Sequence, residues 1–381
     1  MDLKTFRRAT FAVILCSSYP MLIVGCYFGL IPWNMERLQI DESDLGFAIL
    51  SFGISFLISN QIAGRIFVPK FGTKKIMTIG LVIISFSNII LVSAPTYFIL
   101  LLAHIPAGIG WGSSGPIGGI HAQLIERHSG KIISPYYAMG FNIGIFIGGI
   151  LAGFILGNTM SPTFVFLILF FLSIIVSLII YMNGLPKDLD FKGEGEKLKI
   201  PEKNVLIFGF LLFVIFGSNG IIIDWSALWF TKELNAPLYL ASLGLICLSC
   251  GGIFANLFSN QLINLFSEKV VGCYFVIFGS LILFSSIIIG NFYFILITFF
   301  FYGFLTANLV PIIIRQAVKH SSESIPTTVT NLITMGFSAL LFAPAIIGFI
   351  AETYSLTINM YALCIIVFFA GNIFLRKFRV N

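Results

Sequence analysis

The stretch NVLIFGFLLFVIFGSNGIIIDWSALWF, residues Asn204–Phe230, is an apolar run long enough to cross a membrane as one helix. A bilayer core about 30 Å thick needs roughly 20 apolar residues in an α-helix. The run contains Asp224, the only carboxylate well inside any hydrophobic span of the sequence. A lone acid in hydrocarbon is costly unless it faces protein or water, so Asp224 marks a candidate functional site.

The composition of the whole chain agrees with this run. Hydrophobic residues make up 58% of the 381 residues and charged residues only 10%, and the mean hydropathy is +1.00. These values exclude an ordinary water-soluble fold. The alternating pattern of a membrane β-barrel is absent from the sequence. We therefore expect an all-α polytopic membrane protein.

Twelve apolar runs predict twelve transmembrane helices. Their predicted bounds are 9–33, 44–68, 75–94, 96–121, 132–157, 162–183, 204–230, 239–264, 270–290, 292–317, 326–350 and 354–375. The longest polar segment, NGLPKDLDFKGEGEKLKIPEKN (Asn183–Asn204), separates the sixth run from the seventh and has no apolar periodicity. The sequence thus predicts a six-helix half at 1–183, a linker at 184–203 and a second six-helix half at 204–381.

Basic residues edge the apolar runs and form no compact patch, so the net charge of +6 indicates topology and no nucleic-acid partner. Nearly all of them fall on one side of the predicted spans; only Arg37 and Lys232 fall on the other. By the positive-inside rule, both termini and the linker are expected in the cytoplasm. We expect a multi-pass protein of the cell membrane, which is the inner membrane if the source is bacterial.

The two predicted halves share a weak internal repeat. FGTKKI at Phe71–Ile76, after the second span, aligns with FSEKVV at Phe266–Val271, after the eighth, at an offset of 195 residues. Internal repeats of this kind are common in secondary transporters. In the fifth span, Gly140, Gly144 and Gly148 recur every four residues, which predicts close helix packing.

Twelve spans, the 6+6 division and the basic loop after the second span resemble the major facilitator superfamily. The superfamily signature for that loop is roughly G-x-L-A-D-R-x-G-R-K, and GRIFVPKFGTKK keeps Gly72, Lys74 and Lys75 but has Pro69 in place of the acid. The chain is more closely similar to the MosC/YbjJ-like branch, akin to fucose permeases. That resemblance rests on Arg8–Thr10, Leu45-Gly46, DWSALWF at Asp224–Phe230, Val310-Pro311 and Ala343–Glu352.

The resemblance implies a major facilitator fold that transports a small solute by alternating access, with Gly72, Lys74 and Lys75 forming a cytoplasmic gating loop. It also implies that the solute is sugar-like. The branch carries an acid where Asn219 stands, and polar residues where Gly115, Gly119 and Ala138 align. This chain has therefore lost polar groups that its relatives use.

Asp224 lies about six residues, roughly 9 Å, inside the predicted outer end of its span. Alternating exposure to water and to an apolar interior would let it bind and release a proton. The alternatives are a structural acid bonded to a neighbouring helix and a solvated acid near the surface. Trp225 could stack on a sugar ring or anchor at the membrane interface, and Trp229 fits the interface better. Asn219 could bind solute or a facing helix.

In the fourth span, His104 and Trp111 share a helix face, and His104 lies at a depth similar to that of Asp224. A His–Asp proton relay and a neutral His bonded between helices are both open. His121, at the edge of this span, is expected to be solvated. Further polar residues are candidates either for solute binding or for bonds between helices: Tyr19, Asn142, Asn256, Asn308 and Asn331.

The charged and polar residues inside the predicted spans favour a neutral solute. No Lys or Arg lies at mid-span, where a carrier of multiply charged anions would need one. The six cysteines lie in apolar runs, and Cys247 and Cys250 have no nearby His or acid, so we expect no metal or other cofactor. We expect a transporter that functions as a monomer in the lipid bilayer, and no enzyme. An exporter of amphipathic compounds or metabolites and a non-transporting membrane sensor are the alternatives.

Overall fold

The computed structural model describes residues 2–131, 133–158, 160–190, 201–322 and 325–378. Within these ranges all regular structure is helical and no strand occurs. Eleven segments are long and apolar enough to cross a membrane, and Ala343–Thr353 is a shorter apolar helix among the described residues. The predicted all-α polytopic fold is confirmed. The helices form two compact units, one within Met1–Lys197 and the other within Leu198–Asn381.

The described residues of the first unit contain eight α-helices. They are α1 Leu3–Gly29, α2 Ile31–Leu38, α3 Glu42–Ile62, α4 Val68–Phe71, α5 Thr73–Ser93, α6 Tyr97–Ser129, α7 Ser134–Gly157 and α8 Pro162–Asn183. A π-helical turn at Ala63–Phe67 joins α3 to α4. The short α2 was not predicted from the sequence. Pro32 stands in its first turn, a position that suits proline because the N–H that proline lacks has no partner within the helix there.

The second unit contains nine described α-helices. They are α9 Lys203–Lys232, α10 Leu243–Leu257, α11 Ser259–Lys269, α12 Phe275–Ile289, α13 Phe292–Thr306, α14 Leu309–His320, α15 Ile325–Phe337, α16 Ala339–Thr353 and α17 Leu356–Lys377. The predicted spans 239–264, 292–317 and 326–350 are each divided between two helices. The single continuous helices expected there were wrong, although the placement of the spans along the chain was right.

Proline accounts for one of these interruptions. Pro311 has no N–H for the carbonyl of Ala307, and α13 ends one residue before that carbonyl. Pro344 lies inside α16, six residues after the junction with α15 at Ser338, so the hydrogen bond that it lacks belongs to α16 and not to the junction. Ser338 keeps helical dihedral angles and donates its N–H to the Thr334 carbonyl, so the junction is a bend in a continuous path.

Small residues let α1 and α7 pack closely. A Cβ atom at Gly144 would collide with the Ser18 carbonyl oxygen, and one at Gly148 would collide with that of Leu22. The predicted close packing of this glycine series is confirmed. Since larger side chains would force the helices apart, these glycines shape the first unit and need no direct role in solute contact.

Residues 184–190 pack against the first unit, although they were predicted as the start of the linker. Leu185 is fully buried and joins an apolar cluster. The other buried members of that cluster are Ala9, Val13, Ala122, Ile125 and Ile133. We call residues 184–190 the docked segment. The next part of the predicted linker 184–203, residues 191–200, lies outside the described residues.

Candidate functional site

Helix α9 positions Asp224 inside the second unit. The helix runs without interruption from Lys203 to Lys232, and Asp224 lies eight residues, about 12 Å, before its end. Its side chain is 7% exposed. In the described part of the chain, no donor or cation bonds to its carboxylate. A buried carboxylate without a partner is costly, so the group needs a proton, water or a solute in its working states.

Space is available on the face of α9 that carries Asp224. A Cβ atom at Gly220 would have only the Asp224 Oδ2 atom within 4 Å, at 3.7 Å. One turn earlier, a Cβ at Gly217 would meet Ala339 and Ala343 at 3.5 and 3.8 Å, in ordinary contact. The surroundings of this helix face therefore differ between the two glycines. It contacts α16 at Gly217 and borders open space at Gly220.

The two tryptophans beside Asp224 differ in their polar contacts. Both are fully buried. Trp229 Nε1 donates to Thr357 Oγ1 at 2.8 Å, which ties α9 to the start of α17. Trp225 Nε1 has no acceptor among the described residues. Burial makes an interface anchor a poor description of Trp229 and leaves an unused donor at Trp225.

Four candidate asparagines of the second unit lie on different elements. They are Asn219 on α9, Asn256 on α10, Asn308 at the α13–α14 junction and Asn331 on α15. Asn219 is half-buried and makes no hydrogen bond to the described residues. Asn256 is 9% exposed, and its Nδ2 atom has no acceptor among them. Asn308 Nδ2 donates to the Ala255 carbonyl at 3.3 Å, a bond between helices. Asn331 is half-buried.

In the first unit, His104 belongs to a hydrogen-bonded chain. Its Nδ1 atom lies 2.8 Å from the Leu100 carbonyl oxygen, so Nδ1 carries a proton and donates. Nε2 is then the acceptor for the Tyr27 hydroxyl at 3.3 Å. The nearby Asn34 donates to the Leu91 carbonyl and accepts from Arg37. These contacts favour the neutral interhelical His, while the relay with Asp224 stays a prediction.

The remaining candidates of the first unit bond within their own unit. The Tyr19 hydroxyl donates to the Leu169 carbonyl at 2.7 Å, which links α1 to α8. Asn142 Nδ2 donates to Ala138 in its own helix at 3.2 Å. Trp111 is 6% exposed and packs near Phe141, with ring centroids 6.2 Å apart. Their roles in solute binding stay predictions.

The loop with Gly72, Lys74 and Lys75 meets the docked segment. Gly72 has φ +81°, and a Cβ there would lie 2.6 Å from Asp190 Oδ2. The Lys74 ammonium lies 4.9 Å from the ring centroid of Tyr181. The Lys75 ammonium lies 5.1 Å from the ring centroid of Phe71. The glycine is required both by its backbone conformation and by the neighbouring carboxylate.

Sequence reasoning missed a polar cluster behind this loop. Asp190 Oδ1 accepts from the Thr73 backbone N–H at 3.1 Å and from its hydroxyl at 2.5 Å. Thr73 Oγ1 lies 2.6 Å from His121 Nδ1, and the Leu185 N–H donates to His121 Nε2 at 3.1 Å. The expectation of a solvated His121 was wrong, because its side chain is 0% exposed. Asp190 is 117 residues from Thr73, so no local pattern indicated the contact.

Comparison with known proteins decides the family. A family model of the Major Facilitator Superfamily matches residues 13–342, most of the chain. The chain belongs to the Major Facilitator Superfamily. Its sequence is similar to an uncharacterized MFS-type transporter of Yersinia pestis, with 23% identity over 86% of this chain and 85% of the relative. It is also similar to membrane protein MosC of Rhizobium meliloti, with 24% identity over 88% of this chain and 82% of MosC.

Solved transporter structures share the fold. The nucleoside transporter NupG superimposes with a TM-score of 0.71 and 13% sequence identity, over 98% of this chain and 100% of that one. At this identity the likeness shows the fold alone. The resemblance drawn from the sequence motifs, to this superfamily and to MosC, is confirmed. The protein is a multi-pass membrane transporter of the superfamily. This family membership indicates a transporter and not an enzyme.

Proposed function

We propose that this superfamily transporter moves a small neutral, sugar-like solute by alternating access, coupled to protons at Asp224. The observation that carries the proposal is the Asp224 carboxyl group itself, buried in α9 and without a partner among the described residues. An ionisable group inside a membrane span is expensive and is usually functional. Open space beside Gly220 gives water or solute a place to meet it.

The polar groups of the second unit support a hydroxylated solute. Trp225 Nε1 and Asn256 Nδ2 are buried donors without acceptors in the described structure. A buried donor left unsatisfied costs about 1–3 kcal/mol, which a bound hydroxyl group would recover. Arg315 lies near the end of its span and pairs with Glu268 at 3.1 Å, so it offers no clamp for an anionic solute.

The proposal includes supporting roles for other residues. His104 is the second candidate for proton coupling, and Asn219, Asn308, Asn331, Trp111, Tyr19 and Asn142 are candidates for solute contact. Gly72, Lys74 and Lys75 form the proposed gating loop. We place this loop, the linker and both termini in the cytoplasm, because the basic residues concentrate on that side of the spans. We propose that the protein works as a monomer, in the inner membrane if the source is bacterial.

A thermal-shift screen of purified protein identifies the solute class. The panel contains sugars, polyols, nucleosides, amino acids and amphipathic drugs, and each compound is tested on the wild type and on Trp225→Phe. A ligand at 100 times its Kd stabilises the native state by about 2.7 kcal/mol. We expect sugars or polyols to raise the melting temperature of the wild type, and to raise that of Trp225→Phe less.

Two other outcomes would contradict the proposal. Stabilisation by a broad set of amphipathic drugs, and by no sugar or polyol, would favour the exporter. Ligand binding without any solute flux in proteoliposomes would favour a membrane sensor.

A further inference from the structure

The cluster at His121, Thr73 and Asp190 has a defined arrangement of protons. The Leu185 N–H points at His121 Nε2, so this nitrogen is unprotonated. In a neutral imidazole the proton is then on Nδ1, which donates to Thr73 Oγ1. The Thr73 hydroxyl proton is free to bond to Asp190 Oδ1. Every donor in this series of hydrogen bonds has an acceptor, provided that His121 is neutral.

A second proton on His121 breaks this arrangement. Nε2–H would face the Leu185 N–H, placing two donors opposite each other. The hydrogen bond from the Leu185 N–H, one of those that hold the docked segment, would be lost, and the added charge would lie in a fully buried side chain. Two charged groups act electrostatically on the ring. Asp190, on the docked segment, favours the protonated form, and Lys74, on α5, opposes it.

The docked segment has further polar contacts. Its last residue, Asp190, accepts from the Thr73 N–H and from the Thr73 hydroxyl, and both bonds survive a second proton on His121. Gly184 N–H closes the last turn of α8 on the Ile180 carbonyl, and the exposed His128 donates to the Leu189 carbonyl at 3.0 Å. Protonated His128 keeps its Nε2–H, so that bond survives at low pH. Among these contacts, the bond from the Leu185 N–H to His121 is the one that protonation of the ring reverses.

The second unit repeats the position without a titrating ring. At the offset of 195 residues, Thr73 corresponds to Glu268 and His121 to Gln316. Gln316 Nε2 donates to Glu268 Oε2 at 3.3 Å, and Gln316 is fully buried, as His121 is. The backbone repeats as well, because Ser267 (φ 74°, ψ 157°) matches Gly72 (φ 81°, ψ 159°). In both units the side chain at this position, His121 or Gln316, therefore contacts the residue that follows the glycine-like backbone conformation. Of the two, only the side chain of the first unit can titrate.

We propose that His121 is a pH-operated latch that holds residues 184–190 on the first unit when neutral and releases them when protonated. The latch responds to the proton concentration on the side of the membrane that carries the linker. It makes the attachment of the linker to the first unit depend on pH, and so regulates a transporter whose halves the linker joins. It requires neither Asp224 nor a particular solute.

Hydrogen–deuterium exchange of the peptide 184–190 in the full-length protein tests the latch. Protection factors, corrected for the intrinsic exchange rate, are measured from about pH 8 to about pH 5, the range around the ordinary pKa of His. Since one proton is linked to release, we expect protection in the wild type to fall by up to about tenfold per pH unit at the acid end.

His121→Gln is the matched variant, because glutamine fills the equivalent place at Gln316 and can accept from Leu185 while donating to Thr73. We expect its protection to be independent of pH. His128→Gln is the control and should keep the pH response of the wild type. Flat protection in the wild type, or the same slope in His121→Gln as in the wild type, would overturn the proposal.

Nitrogen NMR of protein labelled at its four histidines gives a readout that does not depend on the variant's folding. The His121 signal is identified as the one that Thr73→Val shifts. We expect protonated Nδ1 and unprotonated Nε2 at neutral pH, and both protonated at the pH where the segment loses protection. A His121 ring protonated at Nε2 at neutral pH would overturn the latch.

Discussion

Ser267 holds a backbone conformation that normally requires glycine. Its φ of 74° and ψ of 157° lie in a region that is essentially glycine-only and costs other residues about 1–3 kcal/mol. The equivalent residue in the first unit is Gly72. We expect Ser267→Gly to raise the melting temperature of the purified protein by removing this strain. Ser267→Ala, which loses the hydroxyl but keeps the strain, is the control; a Gly variant no more stable than the Ala variant would refute the assignment.

Gly220 offers a second prediction at the residue scale. Because nothing but Asp224 Oδ2 lies near its missing Cβ, Gly220→Ala should leave stability and transport close to wild type. Gly220→Leu should fill the space beside the carboxyl group and lower the transport rate at least tenfold, with little change in melting temperature. Uptake into proteoliposomes is the measurement. Unimpaired transport by the Leu variant would show that solute and water do not use this space.

At the element scale, two buried tryptophans of α9 allow a matched comparison. Trp229 donates to Thr357, and Glu233 accepts from the Leu356 and Thr357 amides, so the end of α9 caps the start of α17. Both Phe variants lose packing volume at a fully buried site. Trp229→Phe also loses a hydrogen bond, so it should cost about 0.5–1.5 kcal/mol more stability than Trp225→Phe, which loses no bond to the described residues.

The same two variants distinguish a role in packing from a role in solute contact. Trp225→Phe should weaken solute binding while lowering the melting temperature less than Trp229→Phe does. Trp229→Phe should leave the affinity of the folded protein close to wild type. Melting curves and a binding isotherm for the same solute provide both readings. An equal loss of stability in the two variants would remove the case for Trp225 as a solute-contacting residue.

The helices differ in how far the sequence predicts them. Asn204–Phe230 was predicted almost residue for residue, since an uninterrupted apolar run has one low-energy form in a bilayer, and α9 spans Lys203–Lys232. The run 326–350 was predicted as one helix but is two. The division falls at Ser338, six residues before Pro344, so the proline does not mark its position in the sequence.

At the scale of the whole molecule, apolar runs and basic loops were enough to predict the fold, while the partners of single polar groups were not. The burial of Asp224 follows from its position in one run. The burial of His121 depends on Asp190 and Leu185, and the Leu185 contact joins residues 64 apart in the sequence. Contacts of this kind form only when the helices assemble, so an isolated His at a span edge could not be told from a solvated one.

The measurement that tests the central claim most directly is proton-driven solute uptake in proteoliposomes containing wild type, Asp224→Asn or Asp224→Glu. Asn has nearly the shape of Asp and cannot carry a proton through the cycle. We predict that Asp224→Asn loses uphill accumulation but still exchanges labelled for unlabelled solute across the membrane, and that Asp224→Glu keeps some accumulation. Proton-driven accumulation by Asp224→Asn at the wild-type level would contradict the account.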